Sequence, residues 1–163
     1  MIRLAVLAIL LTAGRCFGQH SNGYLFAGPV GVANSIYTRW AGTLVHVGGG
    51  AEKSIGEHVT IGGEAGALFP RSELGRAAAL FSINPAVYLR RGSPRLDPFV
   101  TGGVGVLTSG GASFLWNIGG GVNYWVGRHV GVRLELRDNV WPAEGINMHL
   151  VGVRFGIAFR GGS

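Results

Sequence analysis

The sequence lacks several features that hold other folded chains together. It has one cysteine, Cys16, in 163 residues, and a single thiol supports neither a disulfide framework nor a thiolate zinc site. Charged residues make up 13% of the chain, against a usual share of about 25%. No apolar run reaches the roughly 20 residues that a membrane-spanning helix needs. A disulfide scaffold and a helical membrane protein are therefore excluded.

The first residues have the pattern of a secretory signal peptide. A basic start at Arg3 is followed by an apolar run at 4–13 and by small residues around Gly14 and Gly18. The apolar run is too short to cross a bilayer as a helix. We therefore predict a signal peptide at 1–18 and one mature domain at 19–163, which contains no cysteine after Cys16 is removed.

Glycine and hydrophobic residues are abundant instead. Glycine supplies 30 residues and hydrophobic residues supply 47% of the chain, while the usual glycine share is about 7%. A high apolar fraction without a helical span, behind a signal peptide, favours a membrane β-barrel. An exported chain without disulfides also needs another source of order, which a closed sheet provides.

The C-terminal part contains two runs that alternate with a period of two. One run places Val130, Val132, Leu134 and Leu136 opposite Gly131, Arg133, Glu135 and Arg137; the other places Val151, Val153, Phe155, Ile157 and Phe159 opposite Gly152, Arg154, Gly156 and Ala158. Side chains of a strand point to opposite faces in turn, so each strand has one apolar face and one charged or glycine-rich face. In an outer-membrane barrel the apolar face meets lipid and the polar face lines the interior.

Six further strand candidates precede these two, and no helical period interrupts them. The predicted strands are 23–34, 43–54, 59–69, 79–90, 97–108, 113–126, 130–138 and 148–160. An even number of antiparallel strands can close without a free edge, and closure is required in lipid. The predicted fold class is therefore all-β, an eight-stranded antiparallel up-and-down transmembrane β-barrel.

Aromatic residues are expected to form two belts at the membrane interfaces. With both termini in the periplasm, one belt contains Tyr24, Phe26, Tyr124, Trp125 and Phe159, and the other contains Phe69, Phe81, Phe114, Trp116 and Trp141. The largest outer loops are expected at 34–40 and 139–147, and they are the candidate binding segments. Aromatic residues there, such as Tyr37 and Trp141, are expected to anchor the interface or to contact a partner.

The expected interior carries an ion network. Its predicted members are Glu64, Arg133, Glu135, Arg137 and Arg154. An eight-stranded barrel is just wide enough to be filled by its own side chains, and glycines on the inner faces leave room for arginine. Because an unpaired buried charge is costly, we expect these groups to pair and to plug the barrel. A gated ion path or a proton relay is the functional alternative.

No catalytic, metal or cofactor site is evident, so we expect neither an enzyme nor a cofactor. His149 has lipid-facing parity, as a base would need in a lipid-modifying barrel enzyme, but Val151 stands two residues further along that face and no nucleophile can be assigned. Histidines lack metal-ligand spacing, and the glycine motifs lie inside strands rather than before a helix. Apart from one cluster in a predicted turn, Arg90, Arg91 and Arg95, the arginines lie singly. They do not form the basic stripe of a nucleic-acid groove, and the charge of +6 reflects turn residues and interior pairs.

The stretch 116–138 (WNIGGGVNYWVGRHVGVRLELRD) resembles small bacterial outer-membrane β-barrel domains related to the outer-membrane protein A and X barrels. A glycine-rich strand ending in Tyr124, a tight turn at 127–129 and a Gly-x-Arg-x-Glu-x-Arg strand at 131–137 carry this resemblance. It implies insertion into the outer membrane by the barrel-assembly machinery. Unlike the family's last strand, which ends in an aromatic residue, Phe159 is followed by Arg-Gly-Gly-Ser.

The sequence thus predicts an exported, monomeric outer-membrane barrel that is surrounded by outer-membrane lipids, with a plugged, ion-paired interior and a structural or interaction role. Two alternatives remain. One is a lipid-modifying barrel enzyme that uses His149. The other is a soluble periplasmic, lipocalin-like barrel that binds an apolar ligand, in which the apolar faces would point inward and the arginines outward.

Overall fold

The computed structural model describes residues 21–34, 40–70, 77–90, 95–143 and 145–161. The predicted signal peptide at 1–18 lies outside these ranges, as do most of the loop at 34–40 and Tyr37. The described residues form eight strands in chain order: β1 (Ser21–Asn34), β2 (Trp40–Ser54), β3 (Val59–Pro70), β4 (Ala78–Tyr88), β5 (Leu96–Thr108), β6 (Ala112–Trp125), β7 (Val130–Ala143) and β8 (Ile146–Arg160). No helix within these ranges is long and apolar enough to cross a membrane.

Every strand pairs antiparallel with its neighbours in sequence, and β1 also pairs with β8, so the sheet closes into a barrel. This confirms the predicted fold class. Both the first strand's start at Ser21 and the last strand's end at Arg160 lie at one end, which we call the terminal end. The opposite end, where β7 turns into β8, is called the far end.

The alternation in the sequence becomes the two faces of the wall. Large apolar side chains of β3 to β8 point outward and are exposed, including Ile61, Ile83, Val104, Ile118, Leu134, Leu136, Phe155 and Ile157. Charged side chains in the middle of the wall, such as Glu64, Glu135 and Arg154, point inward and are buried. This orientation suits a lipid surround. It is the reverse of the soluble, lipocalin-like barrel, in which the apolar faces would line the interior.

The hairpin between β7 and β8 corrects one predicted loop. The segment 139–147 was expected to be an outer loop, but β7 runs to Ala143 and β8 starts at Ile146. Gly145 has a φ of 82°, a left-handed conformation that glycine adopts without steric cost. A tight turn therefore replaces the long loop, and the residues on either side of it pair as strand up to Ala143 and Ile146.

Four aromatic residues predicted for the interface belts point inward instead. Tyr24, Phe26 and Trp125 are buried in the lumen at the terminal end, and Trp141 packs against an apolar cluster inside the far end. Their register places them on the inner face, because Trp125 shares parity with the buried Asn123 and Trp141 with the buried Asn139. Tyr124, Phe81, Phe114 and Trp116 are exposed on the outer face, as predicted.

Candidate functional site

The centre of the lumen is organised around Glu135 of β7. Arg133 and Arg137 stand two residues to either side of it and therefore point to the same face. Nε of Arg133 donates to Glu135 Oε2 at 3.0 Å, and Nε of Arg137 donates to Glu135 Oε1 at 2.6 Å. Arg154, opposite Glu135 in register on β8, brings Nη1 to 3.5 Å from the same Oε1. One carboxylate thus faces three guanidinium groups and is only 1% exposed.

Glu64 of β3 closes the network on the opposite wall. Nη1 of Arg154 donates to both of its carboxylate oxygens at 3.0 Å, and the hydroxyl of Tyr24 donates to Oε2 at 3.0 Å. Nη1 of Arg137 lies 3.8 Å from the same Oε2. The second amino group of Arg154 lies 3.1 Å from Nδ1 of the buried His46. The pairs therefore tie β3, β7 and β8 together across the lumen.

A third carboxylate, Glu52 of β2, completes the set. It lies 3.3 Å from Nη1 of Arg133 and accepts hydrogen bonds from the hydroxyls of Tyr88 at 2.7 Å and Thr60 at 2.8 Å. The guanidinium of Arg133 also lies between the rings of Tyr24 and Phe99, about equally near both, at 4.1 and 4.0 Å from their centroids. Such stacking is favourable for a cation that has lost its water.

The network is electrically balanced. It holds the three carboxylates of Glu52, Glu64 and Glu135 and the three guanidinium groups of Arg133, Arg137 and Arg154, all of them buried. Neutral amides complete the arginine contacts, since Asn117 accepts from Arg137 at 3.2 Å and Asn123 accepts from Arg133 at 3.4 Å. Balanced pairing reduces the desolvation penalty that isolated buried charges would suffer.

The structure brings all five sequence-predicted residues into one network, and adds Glu52, which the sequence reading missed. Glu52 lies six residues after His46 and therefore on the same inner face of β2, where His46 is buried, but glycines at 48–50 hid this alternation in the sequence. The expected role of the inner glycines is only partly seen. A side chain at Gly119 would collide with the strand wall and Arg137, whereas one at Gly121 would meet Phe99 and the wall.

A layer that the sequence reading did not identify lies between the network and the far end. Each of the eight strands contributes at least one apolar side chain to it; this apolar ring consists of Val30, Val32, Leu44, Leu68, Ala78, Leu80, Leu107, Leu115, Trp141 and Leu150. The residues share inward parity with polar groups of their own strands, such as Leu115 with Asn117. Six of the ten members are buried and the other four are partly buried against them.

His149 lies apart from this interior. It points outward near the far end, and its Nδ1 is 2.7 Å from Oδ2 of Asp138, also on the outer face. The residues beside it in register are Ala33 and Val140, and neither carries a nucleophile. Among the described residues, no group of three or more histidine, cysteine or acidic side chains could hold a metal ion. Asp138 therefore orients the imidazole of His149, but neither described residue opposite His149 in register is a nucleophile.

Comparison with known proteins bears on the fold. No family model and no curated protein matches the sequence. Among solved structures, the N-terminal β-barrel domain of Pseudomonas aeruginosa OprF is similar with a TM-score of 0.63 and 17% identity, covering 87% of this chain and 98% of that one. Neisserial surface protein A is similar with a TM-score of 0.64 and 13% identity, over 86% and 96% of the two chains.

A third similar structure is a de novo designed transmembrane β-barrel, with a TM-score of 0.52 and 18% identity over 87% of this chain and 97% of that one. The chain therefore has the fold of the eight-stranded outer-membrane barrels, which confirms the resemblance stated from the sequence. Since identity is low in every case, the likeness is one of fold.

Proposed function

We propose that this chain is an integral outer-membrane protein with a closed lumen and a structural or interaction role. The single observation that carries the closed lumen is the apolar ring, to which all eight strands contribute and which fills the far end. Water and ions that cross an eight-stranded barrel must pass between its own side chains. Here they would have to displace leucine and valine from a packed layer.

The ion network, which lies between the apolar ring and the terminal end, supports the same proposal. Glu52, Glu64 and Glu135 each contact at least one guanidinium group, and each guanidinium group contacts at least one carboxylate. A permeating ion would therefore have to break buried pairs before reaching the apolar ring. Breaking such a pair is strongly unfavourable, because it leaves an uncompensated charge in a dry environment.

The outer surface supports the membrane assignment. Exposed apolar side chains continue across the outer face of neighbouring strands, as with Leu134, Leu136, Phe155 and Ile157 on β7 and β8. A contiguous apolar surface of this kind is rare on soluble monomers, and lipid is its natural surround. We place the terminal end in the periplasm and take export to depend on the predicted signal peptide at 1–18.

Planar-bilayer recording tests the closed lumen. The purified barrel should give no large steady current across a voltage range in which a conducting porin, used as the positive control, opens readily. Insertion is verified in the same preparation by the shift of the band on a gel run with and without heating. Large steady currents from correctly folded protein would contradict the proposal.

Cell fractionation tests the location separately. A heat-modifiable band is expected in the outer-membrane fraction. If the protein were released with the periplasmic extract, the membrane proposal would be wrong, whatever the conductance of the reconstituted barrel.

One observation favours a second candidate, a lipid-modifying enzyme. Asp138 orients His149 through the 2.7 Å contact, as an acid orients the base of a hydrolase. Among the described residues, the register partners of His149 are Ala33 and Val140, and neither is a nucleophile. If this reading held, expression would alter lipid A or phospholipid acylation, and the alteration would vanish in His149→Ala. Unchanged lipid profiles in both strains would remove it.

A further inference from the structure

Among the described residues, the net positive charge of the barrel lies at one end. The interior network is balanced, with three acidic and three basic side chains. At the far end the acidic side chain among the described residues is Asp138, which contacts His149. The excess of basic over acidic side chains among the described residues therefore lies at the terminal end.

Four exposed cations, Lys53, Arg90, Arg95 and Arg128, account for this excess among the described residues, and we call them the basic rim. One exposed carboxylate, Glu57, accompanies them. The remaining charges there neutralise each other, because Nη2 of Arg160 lies 2.7 Å from the buried carboxylate of Asp97. The rim thus carries four cations against one anion.

Backbone hydrogen bonds hold these turns in a continuous circle. Tyr88 N–H donates to the carbonyl of His58, Leu89 to Pro98, Trp125 to Arg95 and Arg160 to His129, at 2.8–2.9 Å. The circle closes where Gly161 donates to Ser21 at 2.8 Å, next to the register pair of Ser21 with Lys53. In the sequence the four cations are spread over 76 positions, from 53 to 128. Closure of the barrel brings them together at the terminal end.

Each turn also carries an exposed apolar side chain beside its cation. Ile55 follows Lys53, Leu89 precedes Arg90, and Val126 precedes Arg128, and these three are 64%, 63% and 72% exposed. Exposure on that scale is unusual for a turn in water and suits the boundary between acyl chains and headgroups. The apolar group enters the hydrocarbon edge, while the neighbouring cation reaches the phosphate layer.

We propose that the basic rim binds the phosphate headgroups of anionic phospholipids in the leaflet at the terminal end. The proposal rests on the proposed function, because it requires an inserted barrel, and it names which lipid that barrel prefers. A basic residue near an anionic membrane surface contributes about a fivefold gain in association. A soluble acidic partner would make use of the cations but would leave Ile55, Leu89 and Val126 in water.

The test uses spin-labelled phosphatidylglycerol and phosphatidylcholine in vesicles containing the folded barrel. Electron paramagnetic resonance measures the motionally restricted lipid at the protein surface for each headgroup. We expect phosphatidylglycerol to be favoured by about two- to fivefold. The preference should fall towards one in Lys53→Gln/Arg90→Gln/Arg95→Gln/Arg128→Gln, and also in high salt, which shortens the screening length.

The matched control removes basic residues from the opposite end by Arg39→Gln/Arg71→Gln/Arg76→Gln, and this variant should keep the preference. Equal restriction of the two lipids by the unmodified barrel, or an equal loss in both variants, would overturn the proposal. Loss of the preference with inorganic phosphate, but not with sodium chloride of matched ionic strength, would indicate a site for free phosphate and would also overturn it. Absence of any restricted lipid would instead show that the barrel is not inserted, and would count against the proposed function.

Discussion

The middle of the lumen is occupied by charged side chains, whereas its far end is occupied by apolar ones. In the middle, six charged groups from β2, β3, β7 and β8 meet at hydrogen-bond distances. Towards the far end, the apolar ring contains side chains from every strand. Charged contacts require particular partners in particular register, whereas apolar contacts require only volume.

This difference separates two tasks within one barrel. The network links strands that are distant in sequence, such as Glu64 on β3 and Arg154 on β8, and a slip of one residue would turn these charges towards lipid. In the proposed closed barrel, the contribution of the apolar ring depends on the volume that its members fill and not on particular pairs of groups. We therefore expect the free energy of unfolding to fall when a charge is removed from the network, and to fall when side-chain volume is removed from the ring.

The largest effect is expected from Glu135→Gln, which keeps the volume but removes the charge that faces three arginines. The network is then left with an excess of buried positive charge. Loss of one partner of a buried pair costs about 3–5 kcal/mol, so the free energy of unfolding should fall by about 4 kcal/mol. Urea titration of the barrel in lipid vesicles, followed by the gel shift on heating, measures it.

The matched control is Glu57→Gln, which removes an exposed carboxylate at the terminal end and should change little. Restoring charge balance with Glu135→Gln/Arg133→Gln should cost less than the two single changes added together, because the sites are coupled. If Glu135→Gln were as stable as the unmodified protein, the charges would not require balance, and the comparison would fail.

The sequence predicted the inward-facing residues of a strand only where one face is polar and the other is apolar. On β7, Arg133, Glu135 and Arg137 alternate with valine and leucine, so the network residues could be named in advance. On β1 both faces are apolar, and Tyr24 and Phe26 were placed at the interface although they lie inside. On β2, glycines at 48–50 removed the contrast, so Glu52 was not identified.

The apolar ring was missed for another physical reason. Polar groups are expected to line the barrel, so the residue type of Leu80 and Leu115 did not identify them as inward-facing. Their inward parity with Ser82 and Asn117 was readable, but only closure shows that such residues from all eight strands lie at one level. Closure is a long-range property that no single strand encodes.

A smaller effect is expected from Leu115→Ala in the apolar ring. Leu115 is fully buried, and its loss leaves a cavity that the closed wall cannot easily collapse around. We expect a fall of about 3 kcal/mol in the free energy of unfolding, measured in the same titration. Ile118→Ala on the lipid-facing side of β6 is the control, and it should cost less because acyl chains fill the space. Equal losses at the two positions would mean that the ring is not packed.

The smallest effect is expected from Thr60→Val, which keeps the shape of a buried residue and removes one hydrogen bond to a charge. The Thr60 hydroxyl donates to Glu52 Oε2 at 2.8 Å, and hydrogen bonds to charged groups contribute about 1.5–3 kcal/mol. A loss of about 1.5 kcal/mol is expected, because Tyr88 and Arg133 still hold the other carboxylate oxygen.

Thr101→Val isolates the part of that loss that is due to charge. The Thr101 hydroxyl donates at a similar distance, 2.9 Å, but to the neutral carbonyl of Pro85. Its removal should cost about 1 kcal/mol or less, so the same titration should place Thr60→Val below it in stability. If the two variants were equally stable, the hydrogen bond to the Glu52 carboxylate would contribute no more to stability than one to a neutral backbone carbonyl. The middle of the lumen would then be held by packing in the same way as the apolar ring, and the contrast between the two regions would disappear.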